Sequence, residues 1–307
     1  MKLSGSERKD VEVTCVHSGI CHLGEGPVWN RERQRLFWTD IFERRIWSHD
    51  PETGASEVFW RGELRVGGFA FTRTGDLVLC TDHGVFRQRA GPSGSPQGEP
   101  ELIFRVPLAA DEMFNDITTD PAGRIFAGTL DRSRFTGTLY RFERGVPPAA
   151  VLRDLRCSNG MTFSLDEQWF FHTDTLADRI TRFRYRSGSG EIDAPFAFYE
   201  GSGGGGGLPD GITMDRDGCI WAAFWGGSEV RRIDRGGRVI RRVPIPARQP
   251  SSVMFGGPAL DRLFVTSAAQ GAADLATGRD RDGVFLGGPV YRFSPGTRGR
   301  EEWLADF

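Results

Sequence analysis

The amino-acid sequence predicts an all-β fold, a six-bladed β-propeller, and the leading observation is an internal repeat. Each copy has a small or polar residue, a short apolar strand, a Gly/Asp turn and a second apolar strand. The six copies are GEGPVWNRERQRLFWTD, VGGFAFTRTGDLVLCTD, FNDITTDPAGRIFAGT, SNGMTFSLDEQWFFHTD, LPDGITMDRDGCIWAAF and PSSVMFGGPALDRLFVTS. Their second strands are anchored at Leu36, Val78, Ile125, Phe170, Ile220 and Leu263, which lie 42, 47, 45, 50 and 43 residues apart. A period of this length with several strands per unit is typical of propeller blades.

The second observation is that the apolar segments are short, bounded by Gly, Asp or Pro, and nearly free of helical periodicity. Each unit continues past its second strand into a third, in which charged and apolar residues alternate as in a half-exposed strand. These third strands are expected at 44–50, 84–89, 137–145, 179–186, 229–237 and 289–296. Fourth strands are expected at 57–60, 101–106, 195–200 and 238–245.

The N-terminal segment VEVTCVHSG (11–19) has no partner strand of its own among the repeats. We expect it to pair with the last blade and close the ring, because full closure removes the exposed sheet edges. The predicted organisation is a flexible N-terminus over residues 1–10 and a single six-bladed propeller domain over residues 11–307.

Composition excludes several classes of function. The formal net charge is −2 with both signs interleaved, which argues against nucleic acid and against a cationic partner. The chain has no secretory leader pattern and no apolar run of membrane-spanning length. Its five cysteines are widely spaced and lack a CxxC pair, which favours a reducing compartment. The prediction is a cytoplasmic protein, a monomer or weak homo-oligomer, that acts on a small molecule without nucleic acid or membrane.

The repeat also predicts which residues meet at the channel. In every unit, the residue that lies 10 to 12 positions before the anchor stands just before the first, innermost strand. This position is occupied by Glu25, Gly67, Asn115, Asn159, Asp210 and Ser251. Equivalent positions in a radial repeat lie on one ring, so four blades are expected to bring two carboxylates and two amides to one mouth of the channel.

Converging carboxylates repel one another unless a cation lies between them. Oxygen donors of this kind indicate one divalent cation, Ca²⁺, Mg²⁺ or Mn²⁺, although carboxylates also bind Zn²⁺. The alternative is local turn chemistry, since Asn, Asp and Ser are common at strand starts. Asp40, Asp82 and Asp174, which follow second strands, are expected to cap turns, and Asp116 fits either a turn or the surroundings of the cation.

The ordered motifs LGEGPVW, FNDITTDPAGRIFAGT, SNGMTFSLDEQWFFHTDT, LPDGITMDRDGCIWAAFWGG and PSSVMFGGPALDRLFVTSA resemble those of the gluconolactonase/regucalcin-like (senescence-marker-protein) family, over residues 15 to 300. The resemblance implies a six-bladed propeller with one divalent cation, Ca²⁺ ahead of Zn²⁺, Mg²⁺ and Mn²⁺. It implies Glu25, Asn159 and Asp210 as metal ligands. It also implies that Asn115 faces the hydroxyls of the substrate.

One substrate-binding position departs from the family pattern. Many sugar lactonases of the family carry Arg two residues before the Asn of the F-N-D motif, and Met113 stands there in this chain. Methionine offers a polarizable apolar surface, whereas the planar guanidinium of Arg offers several N–H donors that bind oxygens in pairs. The substrate is therefore expected to be less polar than an aldonolactone or to approach differently, with Arg132, Arg134 or Arg65 as possible substitutes for the missing Arg.

The predicted function is metal-dependent hydrolysis of a sugar-type lactone, as in a gluconolactonase. Asp210 is expected to be both ligand and general base, with Glu25 anchoring the cation and Asn159 completing its shell. Two alternatives stay open. One is a non-enzymatic calcium-binding or docking propeller, because fold does not fix function. The other is a hydrolase of different reactive esters.

Overall fold

The fold is a ring of six antiparallel four-stranded sheets. The computed structural model describes residues 11–203 and 206–307, so the expected flexible segment 1–10 lies outside the described residues. Within the described ranges, the helical structure is one turn of 3-10 helix at Thr175–Ala177. The prediction of an all-β six-bladed propeller is confirmed.

The first five blades are each built from four consecutive strands that run from the channel outwards. Blade 1 contains β2 (Gly24–Asn30), β3 (Arg35–Asp40), β4 (Arg45–His49) and β5 (Ser56–Arg61), and blade 2 contains β6 (Val66–Phe71), β7 (Leu77–Thr81), β8 (Gly84–Gln88) and β9 (Glu101–Phe104). Blade 3 contains β10 (Glu112–Thr119), β11 (Ile125–Asp131), β12 (Gly137–Glu143) and β13 (Val146–Leu155). Blade 4 contains β14 (Ser158–Phe163), β15 (Trp169–Asp174), β16 (Arg179–Arg186) and β17 (Glu191–Glu200), and blade 5 contains β18 (Leu208–Met214), β19 (Ile220–Trp225), β20 (Glu229–Ile233) and β21 (Val239–Pro244).

Blade 6 is completed by the N-terminal strand. Its inner three strands are β22 (Pro250–Gly256), β23 (Arg262–Ser267) and β24 (Val290–Phe293), and its outer strand is β1 (Thr14–His17). The strands β1 and β24 pair antiparallel, with Thr14 opposite Arg292. The predicted closure of the ring is therefore confirmed.

The sequence did not predict β13, the outer strand of blade 3. Its sequence VPPAAVLRDL contains two prolines, which argue against a strand in the middle of a sheet. The strand lies at the outer edge of its blade, where a missing backbone N–H interrupts no further ladder.

The core lies between the blades, against the second strand of each sheet. Strands β7 and β11 are buried along their whole length, whereas the outer strands are largely exposed. Large side chains such as Trp38 and Trp221 are completely buried. All five cysteines are free thiols, and in residues 11–203 and 206–307 no helix is long and apolar enough to cross a membrane. Cytoplasmic location and oligomeric state stay predictions.

Candidate active site

The pairing of strands shifts at the same level in every blade. The innermost and second strands change register between Glu25 and Val28, Val66 and Gly68, Phe114 and Asp116, Ser158 and Met161, Pro209 and Ile212, and Pro250 and Ser252. The six positions predicted from spacing lie at these irregularities, inside the innermost strands rather than before them as the sequence suggested. A bulge bends its strand and re-aims a side chain, which suits a ring of functional groups.

Neighbouring innermost strands approach so closely here that a side chain does not fit. A Cβ on Gly160 would lie 2.5 Å from the carbonyl oxygen of Asp210 and 2.5 Å from the amide nitrogen of Ile212. Contacts that close do not occur without backbone displacement, so glycine is required. Because Gly160 follows Asn159, this contact holds Asn159 of blade 4 next to Asp210 of blade 5.

Three aspartates each accept a hydrogen bond from the backbone amide of the residue two positions before a ring position. Asp40 accepts a hydrogen bond from the amide of Leu23 at 3.1 Å, and Asp82 accepts one from Arg65 at 3.2 Å. Asp174 accepts one from Cys157 at 2.9 Å. These residues were expected to cap turns, but each of these bonds joins residues 17 positions apart in the sequence. Each bond ties the end of a second strand to the start of the innermost strand in the same blade.

Three carboxylates of the site are buried together. Burial raises the pKa of Glu25 well above its ordinary value, and the charges of Asp210 and Asp116 raise it further. Burial and the charge of Asp116 likewise raise the pKa of Asp210. Burial raises the pKa of Asp116 to about 7. The structure thus places Asp116 beside the predicted ligands, inside strand β10 and not in a blade turn.

The amide of Asn159 is oriented by a neighbour that the sequence did not identify. Asn159 donates from Nδ2 to the hydroxyl of Thr175 at 3.1 Å. Its Oδ1 is buried without a hydrogen-bond partner, and so is Oδ1 of Asp210. The side chains of Glu25, Asn159 and Asp210 are 5%, 4% and 3% exposed. Buried oxygens without donors are costly unless something positive satisfies them.

This donor set fits a hard divalent cation. It offers two carboxylates and a neutral amide oxygen, which are the ligand types that Ca²⁺ and Mg²⁺ prefer. Across the described residues, no three or more His, Cys, Asp and Glu side chains are arranged to hold a metal by themselves. A cation at this place would therefore depend on the Asn159 amide as well as on the carboxylates.

Asn115 lies at the same level and links two blades. Its Nδ2 donates to the carbonyl oxygen of Ser158 at 3.0 Å. This bond joins blade 3 to the strand that carries Asn159. Because an amide nitrogen carries two N–H groups, Oδ1 and the second N–H of the half-buried Asn115 are left for a ligand.

Above this ring, the mouth is covered by apolar side chains. Met113 is buried in a cluster with Leu23, Ile41 and Ala268, against which Phe42 and Trp225 also pack. These residues come from blades 1, 3, 5 and 6. The Met113 side chain therefore lies across the mouth, and it gives the site an apolar wall where the family pattern has Arg.

The three arginines expected to replace that missing Arg have different environments. Arg65 lies with its Nε 3.4 Å from Oδ2 of Asp82. Arg134 is 75% exposed and lies near Asp131. Arg132 is half-buried, and its guanidinium carbon lies 4.7 Å from the centre of the Phe42 ring.

A separate cavity of about 340 Å³ lies at the far end of the channel. It is lined by the later halves of the innermost strands, including Val28 and Ile212, and by the C-terminal segment 300–304. Asp116 reaches its inner end. The cavity lies on the side of Asp116 away from Met113, so it is not the mouth.

Comparison with known proteins decides the family. Residues 23–269 match the family described as SMP-30/Gluconolactonase/LRE-like region. The chain belongs to this family. The match begins just before Glu25 and ends two residues after β23, so it spans all six ring positions.

Relatives within the SMP-30/gluconolactonase family include named lactonases. The chain is 35% identical to pentonolactonase XacC of Haloferax volcanii over 294 residues, covering 96% of this chain and 98% of that protein. It is 33% identical to 6-deoxy-6-sulfogluconolactonase of Pseudomonas putida over 260 residues, covering 83% and 87%. A crystal structure of a calcium-binding protein, regucalcin from Agrobacterium tumefaciens, superposes with a TM-score of 0.88 at 24% identity, covering 97% of this chain and 98% of that one. The fold is therefore shared with regucalcin, and the family includes hydrolases of sugar lactones.

Proposed function

We propose that this protein hydrolyses a sugar-type lactone with the help of one divalent cation held by Glu25, Asn159 and Asp210. The observation that carries the proposal is the pair of buried oxygens without donors, on Asn159 and Asp210, beside the buried carboxylate of Glu25. Relatives named as pentonolactonase and sulfogluconolactonase support a lactone as the substrate. The oxygen donors, together with the calcium-binding relative of the same fold, favour Ca²⁺.

A bound divalent cation would supply Lewis acidity toward the ester carbonyl and lower the pKa of a water molecule. Glu25 anchors this charge, and its Oε2 is itself held by the amide of Gly26 at 3.2 Å. Asn159 contributes a neutral oxygen, which keeps the negative charge of the ligand set at two. With only two negative charges among the ligands, repulsion between the site and a substrate oxygen stays low.

Asp210 is the residue we assign as general base. A carboxylate has two oxygens, so Asp210 can contribute one to the cation and accept a proton from the attacking water on the other. Asn115 presents Oδ1 and its second N–H to a hydroxyl of the substrate, because one N–H of Nδ2 is already bonded to Ser158. Met113 and its apolar neighbours exclude bulk water from the mouth, which strengthens the electrostatic interactions beneath them.

The proposal is tested by measuring cation binding and turnover on the same variants. Chelator-treated protein is titrated calorimetrically with Ca²⁺, Mg²⁺, Mn²⁺ and Zn²⁺, and each form is assayed on γ-lactones, δ-lactones and aryl esters. Asn159→Ala and Asp210→Ala should lose both binding and turnover. Asn115→Ala is the matched control on the same ring, and it should keep cation binding while kcat/KM falls.

Each alternative predicts a distinct result in this experiment. Cation binding without hydrolysis of any lactone would favour a calcium-binding or docking propeller. Faster hydrolysis of aryl esters than of lactones would favour a different ester. Full lactonase activity in excess chelator would overturn the assigned role of the cation.

A further inference from the structure

We propose that Arg132 is the substrate-recognition residue of the mouth and that it selects lactones carrying a second, negatively charged group. The inference rests on the lactonase function proposed above and names the class of substrate. The charged group would be a carboxylate, a sulfonate or a phosphate, since all three offer the paired oxygens that a guanidinium binds.

The first argument is that Arg132 is positioned but has no partner. Its backbone amide donates to the carbonyl oxygen of Asp111 at 3.1 Å, which fixes the residue just beyond the end of β11. Its Nε is buried without a hydrogen-bond partner. Within residues 11–203 and 206–307 no acidic side chain forms an ion pair with it, whereas Arg65 and Arg134 each have an aspartate nearby.

The second argument is the place that the guanidinium reaches. Arg132 belongs to blade 3, yet it stacks 4.7 Å from the ring centre of Phe42 in blade 1. Phe42 in turn packs against the cluster of Met113, Leu23, Ile41 and Ala268 at the mouth. The guanidinium therefore extends across the mouth, at the level where a substrate bound over the carboxylates would present its far end.

The third argument is electrostatic. Burial lowers the pKa of Arg132, and the like charge of Arg65 lowers it further. A half-buried cation next to a second cation is unfavourable unless an anion compensates it. A divalent cation bound at the proposed site would neutralise the charges of Glu25 and Asp210. Those carboxylates would then not compensate the positive charge of Arg132. An anionic substituent on the substrate would compensate the positive charge of Arg132, whereas a hydroxyl would not.

The test uses two lactones that differ only in the charge of the distal group. D-glucono-1,4-lactone ends in an alcohol, and D-glucaro-1,4-lactone ends in a carboxylate. With the cation-loaded protein, Arg132→Met should lower kcat/KM for the glucarolactone about 10- to 100-fold, the range expected for a hydrogen bond to a charged group. The gluconolactone should change less than about 3-fold. Arg132→Lys should give an intermediate loss, because a point charge remains without the planar fork.

Arg134→Met is the matched control, since Arg134 is exposed two residues further on and should leave both lactones unchanged. Calorimetric binding of the open-chain anions glucarate and gluconate is measured on the same variants, and only glucarate should weaken in Arg132→Met. If neither lactone is hydrolysed, the proposed function fails while this binding ratio still decides the role of Arg132. Equal losses on the neutral and anionic compounds, or no loss on either, would overturn the assignment.

Discussion

Asn159 donates its side-chain N–H to the Thr175 hydroxyl at 3.1 Å, and this bond decides which end of the amide faces the site. Thr175 opens the short helix Thr175–Ala177 and is itself held by a bond from its backbone amide to the carbonyl oxygen of Cys157 at 3.0 Å. The amide oxygen of Asn159 is left buried and without a donor. Thr175 therefore acts as a positioning residue for a proposed cation ligand.

Replacing Thr175 by Val should weaken cation binding. The variant keeps the shape of the side chain but removes the acceptor, so the Asn159 amide is free to rotate its nitrogen toward the site. Loss of such an outer partner typically reduces metal affinity about 10- to 100-fold. Calorimetric titration with Ca²⁺ measures the change, and Thr175→Ser, which retains the hydroxyl, should bind as the parent does. Unchanged affinity in Thr175→Val would mean that the bond does not orient the ligand.

Removing the cation should make stability depend on pH in a definite direction. The folded state raises the pKa of Glu25, Asp210 and Asp116, the last to about 7, so it binds their protons more tightly than the unfolded chain does. The stabilising contribution of these protonated groups is present below the unfolded values and is lost as the pH rises toward and beyond 7.

Chelated protein should therefore melt at a lower temperature at pH 8.5 than at pH 7, a range above the ordinary histidine pKa of 6.5, and added Ca²⁺ should raise the melting temperature more at pH 8.5. Differential scanning calorimetry at the two pH values measures both effects. Glu25→Gln removes one of the three charges and should flatten the pH dependence of the chelated protein. A melting temperature that rises from pH 7 to 8.5 in chelator would contradict the proposed electrostatics.

The ring of polar residues was predictable because the repeat fixes the phase of every innermost strand. Spacing alone brought Glu25, Asn159 and Asp210 to one level, and the structure keeps them buried together. The bulges were not predictable, because an irregular register depends on pairing with the second strand and not on the local pattern.

Side-chain contacts within single blades account for what the sequence did not identify. The role of Thr175 depends on a bond to a residue 16 positions away on the neighbouring strand. The choice among the three candidate arginines depends on Asp82 and Asp131 being near two of them. Such partners depend on how the strand ends and loops of one blade are folded together, which the pattern of apolar and polar residues does not specify.

His172 should destabilise the protein in acid. It is fully buried beside the Ser158 hydroxyl, with Nε2 2.7 Å from Oγ, and burial lowers its pKa to about 3. The neutral form is therefore favoured by folding, and stability is lost as the pH falls below the unfolded value of 6.5 toward 3. The slope from this residue is at most about 1.4 kcal/mol per pH unit.

Denaturant unfolding at pH 7, 5.5 and 4.5 isolates this effect when the parent is compared with His172→Gln. The variant should lose less stability than the parent on acidification, although its stability at pH 7 is lower. His22→Gln is the control, because His22 is a partly exposed histidine at the mouth. If the free energy of unfolding falls equally with pH in His172→Gln and in the parent, His172 is not the source of the acid destabilisation.

Gly160→Ala should impair both stability and catalysis, because the new methyl group would meet backbone atoms that cannot move independently. The Cβ would lie 2.5 Å from the Asp210 carbonyl oxygen and from the Ile212 nitrogen, so blades 4 and 5 must separate at the level of the site. Overpacking of this kind costs about 1–3 kcal/mol. Gly188→Ala is the matched control, since a Cβ at Gly188 has no neighbour within 4 Å. Chemical unfolding gives the stability, and calcium titration shows whether Asp210 has moved: the Gly160 variant should bind the cation more weakly, whereas parental affinity together with parental stability would show that the strands tolerate the wider spacing.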